Sequence, residues 1–405
     1  MNSQVSLIGK RNVILTKDRE DGVVKKFASP IISGWRKNWI HFKLKTTLFF
    51  IAFSLFKNPL DWFKSLGFLI QLRKSFFGPF RLKKMIRVDK KYYLSLYTPG
   101  WNDNIFKRFI GSELLNFKSN DVNPYRYNHV QLAITNKCPL QCEHCYASEF
   151  LNKRDKLTES DFKIIIERLQ DLGVCQIHFT GGEPMLKISL MESLMKEAKE
   201  ETNFWLNTSG FGLTNEAAKK LKSSGLTGIF ISLDHFEESS HNAFRNYKDA
   251  YYWAITGARN ALKNDLVVAF SLCLRNDFVS NNNLKRYMNL AKNIGVHYVQ
   301  FIESKPVGNY RDKQTALSPD NIELLESLYE AYNFSNNYLD HPVITYHEYY
   351  QRRVGCFLGG KKGMYIDQYG NINACSFCHN AVGNILDEDY KESLQALSQT
   401  GCPVN

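Results

Sequence analysis

Between residues 129 and 303 the chain repeats one unit: an apolar or β-branched run, then a capped helix that closes near a glycine. The first run is residues 129–135 (HVQLAIT). Thr158 then caps a helix whose apolar positions Phe162, Ile165, Ile166, Leu169 and Leu172 share one face, and Gly173 ends it. Five more runs follow at 175–180 (CQIHFT), 204–208 (FWLNT), 228–234 (GIFISLD), 266–274 (LVVAFSLCL) and 297–303 (HYVQFIE). Six strand–helix units imply a parallel sheet with helices outside it. Right-handed crossovers curl such a sheet into an open or closed barrel, and a barrel of this kind does its chemistry at the carboxyl ends of the strands. The expected fold class is therefore α/β: a partial (β/α)6 TIM-like barrel with an N-terminal basic, mainly helical region and a small C-terminal cysteine-rich extension. The expected domains are residues 1–126, 127–317 and 318–405.

The flanking regions differ sharply in charge. Residues 1–100 carry 20 Lys/Arg against 5 Asp/Glu, whereas residues 101–405 carry 32 against 35, so one segment holds the whole excess of the +12 net charge. Between Trp35 and Lys91 the only acidic residues are Asp61 and Asp89, while Trp35, Trp39, Phe42, Phe50, Phe53, Trp62 and Phe63 interleave with Arg36, Lys37, Lys43, Lys45, Lys57 and Lys64. Three readings are open for residues 30–91: an element lying on an anionic membrane surface, a domain that packs on the barrel or docks a peptide, and a nucleic-acid groove. The apolar runs at 46–56 and 65–72 disfavour the last, so nucleic acid is not expected as a partner. The longer of these runs has 11 residues, short of the ~20 that a spanning helix needs. With no secretory pattern at residues 1–10, the expected location is cytoplasmic, with a peripheral place on the inner face of the membrane as an extension of the first reading.

In that setting thiols stay reduced, which favours metal ligation over disulfides for the nine cysteines. They form two groups. Cys138-x3-Cys142-x2-Cys145 directly follows the first strand, on a loop broken by Pro139. Three thiolates so close together suit zinc or an iron–sulfur cluster; no fourth cysteine is near, and His144 would have to fold back to serve. The second group is Cys356-x18-Cys375-x2-Cys378 with Cys402 near the end, and Gly370 five residues before Cys375. Cys375 to His379 also spells the C-x-x-C-H pattern of c-type haem attachment, and a zinc site on the four cysteines is a further alternative. Cys175 and Cys273 lie in strands and read as core residues, and His178 reads as a strand residue facing the barrel interior.

The loop CxxxCxxC after the first strand of a partial barrel resembles the mark of the radical S-adenosylmethionine (SAM) enzymes. The resemblance implies that Cys138, Cys142 and Cys145 hold a [4Fe-4S] cluster whose open iron binds SAM, and that one electron cleaves SAM to a 5′-deoxyadenosyl radical that abstracts hydrogen from substrate. The segment Thr180-Gly181-Gly182-Glu183-Pro184 matches the family's GGE segment, which contacts the methionine amine; glycines admit close backbone approach and Glu183 can accept from an ammonium. Asn207, Ser232 and Asp234, at the ends of the third and fourth strands, resemble the family's contacts to the SAM carboxylate and ribose, with Arg245 and Glu303 weaker candidates of the same kind. The family usually has Asp-Gly where this chain has Asp234-His235. The second cysteine group resembles the SPASM/twitch extensions, which implies one auxiliary [4Fe-4S] cluster on Cys356, Cys375, Cys378 and Cys402. Members with such extensions often act on peptides, so a peptide substrate is expected, with a membrane lipid or lipid-linked precursor as the alternative and a non-catalytic iron–sulfur or zinc protein as the alternative of another class. The electron would come from a donor such as flavodoxin or ferredoxin.

Overall fold

The computed structural model describes residues 30–115 and 127–400. Ahead of the barrel come β1 (Ile31–Ser33), α1 (Gly34–Leu55), α2 (Pro59–Phe77), β2 (Lys84–Val88), β3 (Lys91–Tyr93) and α3 (Asn104–Leu115). The barrel runs β4 (His129–Ala133), α4 (Glu159–Asp171), β5 (Gln176–Thr180), α5 (Ile188–Glu197), β6 (Asn203–Thr208), α6 (Asn215–Ser223), β7 (Leu226–Ser232), α7 (Glu238–Arg245), α8 (Ala250–Lys263), β8 (Val267–Leu274), α9 (Asn281–Ile294) and β9 (Tyr298–Glu303). It is followed by α10 (Pro319–Phe334), β10 (Val343–Tyr346), α11 (His347–Val354), β11 (Gly363–Ile366), β12 (Ile372–Asn373) and α12 (Tyr390–Thr400).

All six expected strands are present, as β4 to β9. The sheet is nevertheless larger than six strands. Its order is β10-β9-β8-β7-β6-β5-β4-β11-β12. β10 joins β9 and β11 joins β4, both parallel, so two short strands from beyond residue 318 extend the barrel at its two edges. The local signals work as read. Thr158 and Asp161 form a reciprocal capping box on α4, and Gly295 ends α9 in the left-handed conformation. Alternation along the strands sends Ile177 and Phe179 into the core beneath the helices, and directs Trp205 and Phe230 into a second cluster inside the bore.

That inner cluster also contains residues from outside the barrel. Ile86, Val88, Tyr93 and Leu96 pack on Trp205, Phe230, Val267, Ala269, Tyr298 and Val343. The antiparallel β2–β3 pair and the turn after it thus plug one end of the bore. Tyr97 enters it: its hydroxyl accepts a hydrogen bond of 2.5 Å from Gln300 Nε2, and its ring stacks on His178 at 6.0 Å. His178 faces the interior, as expected, between Tyr97 and Trp205. Buried Lys84 fastens the plug. Its Nζ donates to the carbonyls of Tyr338, His341 and Pro342 at 2.8, 2.7 and 3.1 Å, although burial lowers its ammonium to about 7. The plug fills the amino-terminal side of the bore. Higher up, the inward positions Asn207, Ser232, Ser271 and Cys273 are half-buried and polar, which marks the carboxyl ends as the accessible side. Cys273 therefore belongs to this upper bore rather than to the core.

Candidate active site

The loop between β4 and α4 carries Cys138, Cys142 and Cys145. It has no regular structure of its own, so its shape comes from tethers. Asp155 accepts from Thr135 Oγ1 at 2.9 Å and from the Asn136 amide at 2.7 Å. Asn152 accepts from the Cys138 amide at 3.1 Å and donates to its carbonyl at 3.3 Å. The Glu143 amide donates to the Phe244 carbonyl of α7 at 2.9 Å.

A further clamp comes from the segment after β9, which the sequence reading did not single out. The Asn309 amide donates to the Cys145 carbonyl at 3.1 Å, and Asn309 Nδ2 donates to the Cys142 carbonyl at 3.0 Å. Tyr310 donates to Glu143 at 2.7 Å. Gly308 makes the approach possible: its φ is +58°, and a Cβ there would sit 2.1 Å from the Cys145 carbonyl oxygen. The turn-forming Val-Gly-Asn-Tyr string at 307–310 was the available signal.

All three thiols are free. Burial, the largest influence, pushes the Cys138 thiol up to about 12 and that of Cys145 up to about 11. Each of these two thiols senses the field of Cys142, so the three sulfurs share one environment. Left alone the Cys138 and Cys145 thiols would stay protonated at neutral pH; a bound cation is what draws such groups to thiolates. The cationic Arg245 Nη1 lies 3.5 Å from Cys142 Sγ. The donor set therefore fits a thiolate-ligated cluster.

The Gly181-Gly182 segment lies directly on this loop. The Gly182 amide donates to the Thr135 carbonyl at 2.7 Å and the Glu183 amide to the Lys137 carbonyl at 2.8 Å. A Cβ on Gly182 would meet the Lys137 carbonyl oxygen at 2.3 Å, and one on Gly181 the Thr135 oxygen at 2.4 Å. These glycines thus let the β5 loop press on the cysteine loop itself.

Glu183 is placed differently from the expectation that it offers an oxygen to an ammonium. Its carboxylate is buried and accepts from Thr208 Oγ1 at 2.6 Å, the Ser209 amide at 2.9 Å, the Ser209 hydroxyl and the Met185 amide at 3.0 Å. Four donors use both oxygens, so the group ties the β5 turn to the β6 turn. Glu183→Gln turns an amide NH₂ against two of these donors, one of them a backbone N–H that cannot turn away. A loss of about 1–3 kcal/mol is expected in the unfolding free energy of the metal-free protein, measured in urea; an unchanged midpoint would contradict it.

Asp234 is likewise held by protein. Arg245 Nε and Nη2 donate to its Oδ2 at 2.6 and 2.5 Å, and the Cys273 amide donates to Oδ1 at 3.1 Å. Asp234 reaches the cysteine loop chiefly through Arg245, with a weaker electrostatic contact to His144. Glu303 is bonded to Tyr346 and Arg352. Ser232 is half-buried at the end of β7, and Asn207, half-buried at the end of β6, has its Oδ1 turned to the His178 ring.

Of the second group, Cys356, Cys375 and Cys378 are described; Cys402 lies outside the described residues. Gly370, with φ +85°, turns the β11–β12 hairpin that carries Cys375, and the Cys378 amide donates to the Cys375 carbonyl at 3.0 Å. Phe377, between these cysteines, meets Tyr146 edge-on with centroids 6.0 Å apart, so the second loop borders the first. Among the described residues no three His, Cys, Asp or Glu side chains converge tightly enough for a single metal ion.

The barrel is open at its carboxyl ends and carries three desolvated thiols on the loop after its first strand, residue types of the kind that ligate a metal cluster. Residues 132–303 match the family model of the Radical SAM superfamily. Over 126 residues it is 37% identical to the PqqA peptide cyclase of Bradyrhizobium diazoefficiens, covering 30% of this chain and 32% of that protein. Over 158 residues it is 32% identical to the Fe-coproporphyrin III synthase of Methanosarcina barkeri, covering 39% of this chain and 38% of that protein. The matches thus span about a third of the length of these curated relatives. Among solved structures, Streptococcus suis SuiB bound to precursor peptide SuiA matches in fold with a TM-score of 0.55 at 12% identity, covering 78% of this chain and 74% of that one.

Proposed function

We propose that the chain is a radical SAM enzyme that modifies a peptide. The carrying observation is the trio of free, desolvated thiols on a loop clamped through its backbone by Asn152, Asn309 and the Gly181-Gly182 segment. In this reading Cys138, Cys142 and Cys145 hold a [4Fe-4S] cluster. When bound, the cluster and SAM supply an electron and a carbon radical that removes hydrogen from substrate. The chain's own residues provide position and dryness. Asn207 and Ser232 offer polar groups to SAM at the strand ends, Glu183 fixes the β5 and β6 turns around it, and Asp234 orients Arg245 toward Cys142. The plug of β2 and β3 closes the far side, so substrate enters over the carboxyl ends.

The auxiliary cluster is assigned to Cys356, Cys375, Cys378 and Cys402, and the electron to a flavodoxin- or ferredoxin-type donor. The three regions 1–126, 127–317 and 318–405 serve as basic N-terminal region, barrel and cluster extension. Similarity to a protein named as a peptide cyclase supports the peptide. Reconstituted enzyme given SAM and dithionite is expected to form 5′-deoxyadenosine faster with a candidate short peptide than without one, and that peptide should lose hydrogen by mass spectrometry. Stimulation by a lipid extract and by no peptide would overturn the peptide reading in favour of a lipid-linked substrate.

A further inference from the structure

Helix α1 is apolar on two opposite faces. Ile40, Leu44, Ile51 and Ala52 are buried in the core shared with α3. Half a turn away run Trp35, Trp39, Phe42, Phe50 and Phe53, which at about 100° per residue form one stripe. This stripe is bare: Trp35 is 75%, Phe42 60% and Phe50 61% exposed. It continues onto α2 through Leu60, Phe63 and Ile70, all exposed, with Trp62 joining the helices against Phe53 at 4.7 Å and Phe49 at 6.2 Å. Nine of the 14 large exposed apolar side chains of the described chain lie between residues 35 and 70. A concentration of that kind marks a surface that meets something apolar.

The charges beside the stripe indicate what it meets. Residues 34–77 carry eight Lys/Arg and one acid, Asp61. Arg36 and Lys43 flank the stripe on one side, their cations 5.7 and 5.4 Å from the Trp35 and Trp39 ring centroids, and Lys45 lies on the other flank. Aromatic rings between outward-reaching cations match the boundary of an anionic bilayer, where rings enter the headgroup level and Lys/Arg meet phosphates. Two copies of this surface would bring like charges together, which disfavours self-association. No helix among the described residues is long and apolar enough to cross a membrane.

We propose that the α1–α2 pair is a membrane-docking surface, with α1 lying in the plane of an anionic lipid bilayer and its Trp35–Phe53 stripe in the headgroup boundary. This inference does not rest on the substrate reading above. The test is flotation of the full-length protein with vesicles of phosphatidylcholine alone or with about 30% phosphatidylglycerol. The wild type should float with the anionic vesicles at least about tenfold better, lose that advantage in high salt, and shift its tryptophan emission to the blue. Trp35→Ser/Trp39→Ser/Phe42→Ser/Phe50→Ser/Phe53→Ser should lose at least about tenfold in flotation with an unchanged circular dichroism spectrum. Arg36→Glu/Lys43→Glu/Lys45→Glu should lose the anionic preference. Absence of wild-type flotation on either vesicle, or equal flotation of the five-serine variant, would overturn the proposal. So would a wild-type dimer in sedimentation velocity that the five-serine variant abolishes, because a second copy would then cover the stripe.

Discussion

Replacing Cys138, Cys142 and Cys145 together with Ala is expected to lower iron from about eight to about four per reconstituted chain and to abolish 5′-deoxyadenosine formation with SAM and dithionite. The structure explains why this variant should remain folded. Asn152, Asn309 and the Phe244 carbonyl grip backbone atoms at Cys138, Cys142, Glu143 and Cys145, so truncating the thiols leaves the tethers in place. The exception is Arg245, which loses a sulfur 3.5 Å away but keeps its ion pair with Asp234. Iron counting and apo-protein melting therefore separate two effects. Halved iron with a melting temperature within a few degrees of wild type is the expected pair of results. Cys142→Ala alone should also abolish SAM cleavage. An active Cys142→Ala enzyme would remove the assignment, and unchanged iron in the triple variant would place the metal elsewhere.

What the sequence made legible was local. The period of Phe162, Ile165, Ile166 and Leu169, the cap at Thr158 and the β-branched runs each report on neighbours a few residues away, and β4 to β9 follow from them. β10 and β11 are four residues each, too short to separate from turns by alternation alone, and they join strands far away in sequence. β2 reads Lys-Met-Ile-Arg-Val, and its basic residues hid a strand whose Lys84 is buried because three carbonyls receive it. The candidate site divides in the same way. CxxxCxxC and GGE are contiguous, so their positions were readable. The partners that occupy Glu183 and Asp234 are not contiguous: Thr208 and Ser209 come from the end of β6, and Arg245 from α7. A carboxylate at a strand end reads as free to meet a ligand until its long-range donors are known. The opposed stripes of α1 are different. Residues 35, 39 and 42 against 40, 44 and 51 are visible on a helical wheel, but only burial shows which of the two apolar faces is left bare.

Arg245→Ala is expected to cost about 3–5 kcal/mol of stability, because it leaves the Asp234 carboxylate buried without its counter-charge. Burial by itself pushes the Asp234 carboxyl up; the Arg245 guanidinium, with smaller help from His144 and His241, more than reverses this and holds it below the usual range. In the wild type His241 does not share this role: its Nδ1 accepts from the Asp234 amide at 3.1 Å, and burial, with a smaller push from Arg245, lowers the ring to about 4, so it is neutral at pH 7. The pH dependence follows from the sign of each shift. In the wild type a carboxyl with a lowered folded pKa stabilises the fold above the unfolded value of about 4, and this is lost as pH falls through the folded value. In Arg245→Ala burial dominates and the folded pKa rises, so the carboxyl's contribution is present below about 4 and is lost as pH rises through the new folded value. The difference between the two proteins is therefore largest near neutrality and shrinks on acidification toward pH 4, which urea unfolding at several pH values would measure. Asp234→Asn in the Arg245→Ala background should recover part of the loss at pH 7, since it removes the stranded charge. A neutral-pH difference below about 1 kcal/mol, independent of pH, would mean that solvent reaches the pair and that it does not support the cysteine loop.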